Sequence, residues 1–116
     1  KTKYYLDNDE ELQKKANEIL KKVGLEYTGK VDVKHFYWLL LEDKYLNTLK
    51  NSIKKPLSGL KVYSYYGCHS LRPREIIDYD TPENPDSIEK LITTLGATPI
   101  IGERRLECCG FHAFWM

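Results

Sequence analysis

Three cysteines carry most of the chemistry this sequence can offer: Cys68 and the adjacent pair Cys108 and Cys109. Three thiolates make a soft donor set, suited to zinc, copper(I) or iron–sulfur centres rather than to hard cations. Cys68 sits in Tyr-Tyr-Gly-Cys-His, and the pair sits in Glu-Cys-Cys-Gly. Gly67 and Gly110 flank the sulfurs and let backbone approach closely. Metal coordination accounts for two adjacent cysteines without a strained vicinal disulfide. The plainer alternative is three ordinary buried thiols, since free cysteine is among the most buried residue types. An odd count with no charged-then-apolar leader argues against a secreted disulfide scaffold and predicts a reducing compartment.

Other groups near these sulfurs could take part. His69 follows Cys68 directly, so it is expected to point away from a shared metal and to serve behind the ligands or in proton transfer. His112 lies four residues after Cys108. If a helix begins there, Cys68, Cys108, Cys109 and His112 would make a Cys₃His zinc site. A packed histidine is the alternative. Arg72 and Arg74 flank Pro73 just past Cys68 and could offset thiolate charge or hold an anionic group. A solvated basic turn is the other reading. His35 opens a helical stretch and reads as a structural hydrogen-bonding residue.

The elements that must position these groups follow from periodicity. Leu12, Ala16, Ile19, Leu20 and Val23 share one helical face, which predicts a helix over 8–23 stopped by Gly24. Val31 and Val33 alternate with polar residues and predict a short strand. Helices are expected over 35–43, on Phe36, Leu39 and Leu40, and over 44–53. Residues 56–59 break the pattern as a loop. The β-branched and aromatic run 60–66 predicts a strand. Two prolines make 81–85 a loop. Asp86 and Glu89 suggest a capping box, followed by the stripe Ile88, Leu91, Ile92 and Leu95 and a stop at Gly96. Residues 97–101 predict another strand. Strand, crossover helix and strand make a βαβ unit with parallel pairing. The expected fold is therefore α/β: a helical lead-in, residues 1–58, then residues 59–116 as the opening of a parallel, Rossmann-like sheet, an incomplete module. Ligands bind at the carboxyl ends of such strands, where all three cysteines would fall.

Composition narrows the function. The chain has 116 residues, 41% hydrophobic and 30% charged, with net charge +1. That suits one globular domain. Residues 1–60 carry 12 lysines against 9 acids, and residues 61–116 carry 6 basic against 8 acidic residues, or +3 and −2. Neither half shows the basic excess of a nucleic-acid binder. The longest apolar run, Phe36 to Leu41, falls far short of the ~20 residues a membrane span needs. Walker loops, Gly-x-Gly-x-x-Gly and Gly-x-Ser-x-Gly are missing, which leaves nucleotide binding and serine hydrolysis without support. The chain starts with Lys1, and its sole methionine is its last residue, Met116. Both facts suggest a piece of a longer protein.

The run Tyr65-Tyr-Gly-Cys68-His69-Ser-Leu-Arg72-Pro73 and, with 39 residues between Cys68 and Cys108, the run Glu107-Cys108-Cys109-Gly110 resemble the cysteine-rich CCG module. That module occurs twice in the B subunit of archaeal heterodisulfide reductase and is also found in the E subunit of archaeal succinate dehydrogenases. Residues 80–87 and 95–97 resemble the family's second module, and residues 29–36 and 54–62 resemble its connector. The family pattern continues to a closing Cys-x-x-Cys, which this sequence does not contain. The resemblance implies an oxidoreductase subunit in which Cys68, Cys108 and Cys109 are three of five ligands to a non-cubane 4Fe–4S cluster, or to zinc as in some modules. It implies other redox-complex subunits as partners and a cytoplasmic place, at the membrane face through those partners. By itself this stretch would be inactive. Two alternatives stay open: a zinc-stabilised docking module without redox chemistry, and a metal-free α/β interaction domain.

Overall fold

The computed structural model describes residues 1–111, which form two compact units, Lys1–Lys34 and a second beginning at His35. The first unit is a helix pair, α1 (Thr2–Asn8) and α2 (Glu10–Lys21). The single helix expected over 8–23 is therefore shorter at its start and preceded by another. Asp9 makes the break: its backbone is extended, and its carboxylate accepts the Leu12 N–H at 2.9 Å. An Asp in that position satisfies a donor that the first helical turn leaves open. Gly24 ends α2 with φ +73°, as its position in the sequence predicts.

This unit is tied by polar contacts. Lys3 Nζ donates to Asp7 at 2.8 Å and to the Gly29 carbonyl at 2.7 Å. The Tyr27 hydroxyl donates to Asp7 at 2.8 Å, and the Asn17 side chain pairs with the Tyr27 backbone. The apolar stripe of α2 stays open instead, with Ile19 66% and Val23 70% exposed. The strand expected at 31–33 does not form. Val31 and Val33 are exposed and have no ladder partner, and alternation specifies a strand only where a neighbour pairs with it.

The second unit holds α3 (Phe36–Leu41), α4 (Asp43–Ser52), β1 (Lys61–Tyr63), α5 (Cys68–Leu71), α6 (Ser87–Thr94) and β2 (Thr98–Ile100), followed by a 3₁₀ turn, Glu103–Leu106. β1 and β2 pair in parallel, Val62 opposite Pro99, with α6 in the crossover. The βαβ unit and the incomplete α/β module are thus present. Both strands are shorter than the runs that predict them. Pro99 has no N–H for a ladder, which keeps the paired run short. α3 packs on α6 and is pinned by Trp38, which stacks on Tyr79 at 4.9 Å. The ring of His35 lies 4.3 Å from that of Tyr37 in the same cluster. Among the described residues, no helix is long and apolar enough to cross a membrane.

The ends of α6 show how the crossover is held. Gly96, φ +88°, closes it: Gly96 N–H reaches the Thr93 carbonyl and Ala97 N–H the Ile92 carbonyl, at 3.0 and 3.1 Å. That pair of bonds needs a left-handed residue between helix and strand. The start departs from expectation. Asp86 makes no side-chain cap and instead pairs with Lys90 at 2.7 Å. The cap comes from Asp80, whose carboxylate accepts the N–H groups of Asp86 and Ser87 at 3.1 and 3.0 Å and the Ser87 hydroxyl. It also accepts Thr81 N–H at 2.9 Å, so one carboxylate shapes the whole 80–87 loop. Asp80→Ala should cost about 1–2 kcal/mol, the upper range of helix-cap losses. Urea denaturation of wild type and variant measures it.

Candidate metal centre

Cys68 opens α5, with Gly67 as the residue before the helix. Cys108 and Cys109 follow the 3₁₀ turn. All three are free, exposed thiols, so the buried-thiol alternative does not hold. Gly110, φ +74°, turns the chain so that its N–H points back at Cys108 Sγ, 3.4 Å away.

Two bonds bring the cysteine-bearing segments together beyond the end of the ladder. The Tyr66 N–H donates to the Arg105 carbonyl at 2.9 Å, and the Tyr65 hydroxyl donates to the Glu107 carbonyl. The phenol of Tyr65 reports the result. It is pushed above its usual range by burial and then by the negative charges of Cys109, Cys108, Glu107 and Cys68. The three sulfurs lie on the two segments that meet at Tyr65 and Tyr66. They do not yet enclose an ion: among the described residues, no three His, Cys, Asp or Glu side chains are placed to hold one metal. The donor chemistry fits a thiophilic centre, while the geometry is that of an open edge.

The remaining candidates separate. His69 is exposed on α5 beside Cys68. His112 lies outside the described residues, and with it the Cys₃His set. Arg72 reaches Glu83 at 4.0 Å, with both side chains exposed. Arg74 lines a polar hollow of about 440 Å³ together with Asp78, Asp80 and Lys90.

Sequence reasoning missed the groups beneath the edge. The core of the second unit includes Tyr66, Leu71, Ile92 and Ala97, but also Ser64, Ser87, Glu89 and Arg105. Arg105 Nη1 donates to Glu89 at 2.7 Å and to the Pro85 carbonyl at 2.7 Å, and Nη2 to Asn84 at 2.6 Å. Glu89 also accepts the hydroxyls of Ser64 and Tyr66. The signal was Glu89's position three residues before Ile92, on the buried face of α6 rather than the capping face.

Glu89 makes stability pH-dependent. Burial alone would raise its carboxyl, but bonds from Ser64, Tyr66, its own backbone and Arg105 outweigh burial and hold it below its ordinary 4.5. The folded state therefore binds this proton less readily than the unfolded chain. The stabilisation is fully present above the ordinary value and is lost as pH falls from about 4.5 through the depressed folded-state value. Glu89→Gln should flatten this part of the profile, so the drop in unfolding free energy between neutral and acidic pH becomes smaller in urea titrations of the variant.

A family model for the cysteine-rich CCG domain matches residues 62–116. Residues 62–116 belong to the CCG domain family. Three relatives extend the likeness. The chain is 42% identical over 99 residues to the membrane anchor subunit of 8-methylmenaquinol:fumarate reductase of Wolinella succinogenes, covering 85% of this chain and 34% of that protein. It is 39% identical over 105 residues to a protein of Archaeoglobus profundus described as similar to the heterodisulfide reductase B subunit, covering 89% and 35%. It is 33% identical over 105 residues to the B subunit of the ferredoxin/F420H2-dependent CoB–CoM heterodisulfide reductase of Methanosarcina acetivorans, covering 90% and 35%. The chain thus spans about a third of the length of these curated relatives. The CCG domain begins within β1 and takes in all three cysteines, the α6 crossover and β2.

Proposed function

We propose that this chain is part of an oxidoreductase subunit whose CCG domain holds a thiolate-ligated metal centre through Cys68, Cys108 and Cys109. The observation that carries the reading is that the segments bearing three free, exposed thiols are bonded to each other at Tyr65 and Tyr66, just past the end of β1. The relatives are named as reductase subunits, which favours a redox role over a docking one. A non-cubane 4Fe–4S cluster fits three thiolates completed by further cysteines from outside this sequence. When bound, such a cluster supplies electron transfer, and the protein's part is to hold and tune it.

The chain's own residues have definable roles in this reading. The three thiolates are the ligands. Gly110 N–H points at Cys108 Sγ and would help orient that ligand. Arg72, held by a long exposed contact, can turn toward the edge and offset the thiolate charge. His69 stands behind Cys68 as a proton carrier. Residues 59–116 are the opening of the module, and residues 1–58 its lead-in. Electrons would pass to a disulfide or, as the name of the 42% identical relative favours, to and from a quinone. The partners are other subunits of a redox complex, which would place the protein at a membrane face.

Metal analysis with a visible spectrum, on anaerobically purified full-length protein, tests the reading. Iron with broad visible absorbance supports it. Zinc without colour assigns this module a docking role. Three titratable thiols and no metal would overturn it.

A further inference from the structure

We propose that the buried Glu89–Arg105 pair is a positioning device that sets the spacing between Cys68 and the Cys108–Cys109 pair. The inference rests on the metal-centre reading only for what the spacing serves.

The two cysteine segments are tied to the same carboxylate. Ser64 and Tyr66, on the strand exit leading to Cys68, both donate their hydroxyls to Glu89. Arg105, three residues before Cys108, donates to the same Glu89 from the other segment. Tyr66 N–H meets the Arg105 carbonyl directly. The guanidinium is fixed in turn by the Pro85 carbonyl and by Asn84, and the Tyr66 hydroxyl accepts the Ile88 N–H at 2.9 Å. Glu89 and Arg105 are each more than nine-tenths buried, with side chains 8% and 7% exposed.

This arrangement is a costly way to hold two segments together. Taking a carboxylate and a guanidinium out of water consumes most of what their attraction returns, and apolar residues of similar volume would stabilise as well. What an apolar pair lacks is direction. A guanidinium is a rigid fork with donors at fixed angles, and a carboxylate accepts at fixed lone pairs. Filling both fixes where residue 105 lies relative to residues 64 and 66. The ladder ends at Tyr63 and Ile100, and past it the Tyr66 N–H to Arg105 and Tyr65 hydroxyl to Glu107 bonds join the segments without a buried, directional lock of this kind. Cys68 and Cys108 leave this locked junction two and three residues later. Residues that orient metal ligands from behind typically act in this way.

The experiment uses Glu89→Gln and Arg105→Lys in the full-length protein, with Gly96→Ala, a strained substitution at the far end of α6, as a control that weakens the helix without touching the pair. Two readouts are taken. The first is cross-linking of Cys68 to Cys108 or Cys109 by dibromobimane in metal-free protein, with sites assigned by peptide mass. The second is the rate at which metal from the anaerobic protein is lost to a chelator. Both variants should keep a cooperative melt, and cross-link yield should fall severalfold. Metal affinity should drop about 10-fold to 100-fold, as for other residues that support ligands. The control should lower the melting temperature and leave both readouts unchanged. Variants that behave like the control would overturn the inference, as would variants that do not fold, since the pair would then hold the whole unit. A changed cross-link pattern in a protein that never binds metal would support the positioning role and overturn the metal-centre reading. Unchanged cross-linking in a protein that does bind metal would overturn the positioning role alone.

Discussion

Arg105→Met should cost the second unit about 3–5 kcal/mol of unfolding free energy, the range for removing one partner from a buried pair. Methionine fills much of the aliphatic volume, so packing loss is the smaller part. The larger part is electrostatic. Glu89 would remain a buried carboxylate with two hydroxyl donors and no cation. The Pro85 carbonyl and Asn84 would lose their partner as well. Many small domains have little more than this in total stability. The double variant Arg105→Met/Glu89→Leu should recover a large share, because no buried charge is then left unpaired. Recovery will be incomplete, since Ser64 and Tyr66 still lose their acceptor. Urea denaturation of the four forms makes a double-mutant cycle. A single-variant loss below about 1 kcal/mol, the size of an ordinary hydrogen bond, would show that the network contributes no more than exposed contacts do.

On the proposed metal-centre reading, Cys109→Ser should empty the site and barely disturb the metal-free fold. The thiol is exposed, so serine in its place should change apo stability by no more than about 0.5 kcal/mol. A metal-loaded protein would behave differently. Serine is a hard, weakly acidic ligand and does not replace a thiolate toward a soft centre. The variant therefore loses the stabilisation that binding adds to the native state by mass action. The expected signature is a melting temperature that no longer responds to a chelator, with iron content lowered by the amount belonging to this site. Equal iron in variant and wild type would mean that Cys109 is no ligand. A large loss of apo stability would mean that it is a structural residue.

The residues that could be read from the sequence were those with local signals. Gly96 marked the end of α6 because only a left-handed residue suits that junction, and the stripe on Ile92 placed the helix. The cysteines stood out by type, and the strand–helix–strand order put them at one edge. Signals that depend on distant partners were missed. Val31 and Val33 alternate like a strand, yet no neighbour pairs with them. Asp86 looks like a cap, but Asp80, six residues earlier, holds the α6 start because the loop folds back on itself. Glu89 fits a capping box in sequence, whereas Arg105, 16 residues away, draws it inward. Asp9 gave no sign of the helix before it, yet its extended backbone separates α1 from α2 and its carboxylate meets the Leu12 N–H at the start of α2.

The parallel pair of β1 and β2 has a consequence for how this stretch behaves on its own. A sheet of two strands has no interior strand, so each strand keeps one row of backbone groups without a sheet partner among the described residues. Exposed rows of that kind are templates for strand addition. Pro99 and Lys61 blunt them a little. In a larger molecule a further strand can dock on either side. In a tube of purified protein, the same rows invite a second molecule, so solubility and concentration will govern which experiments on this stretch succeed.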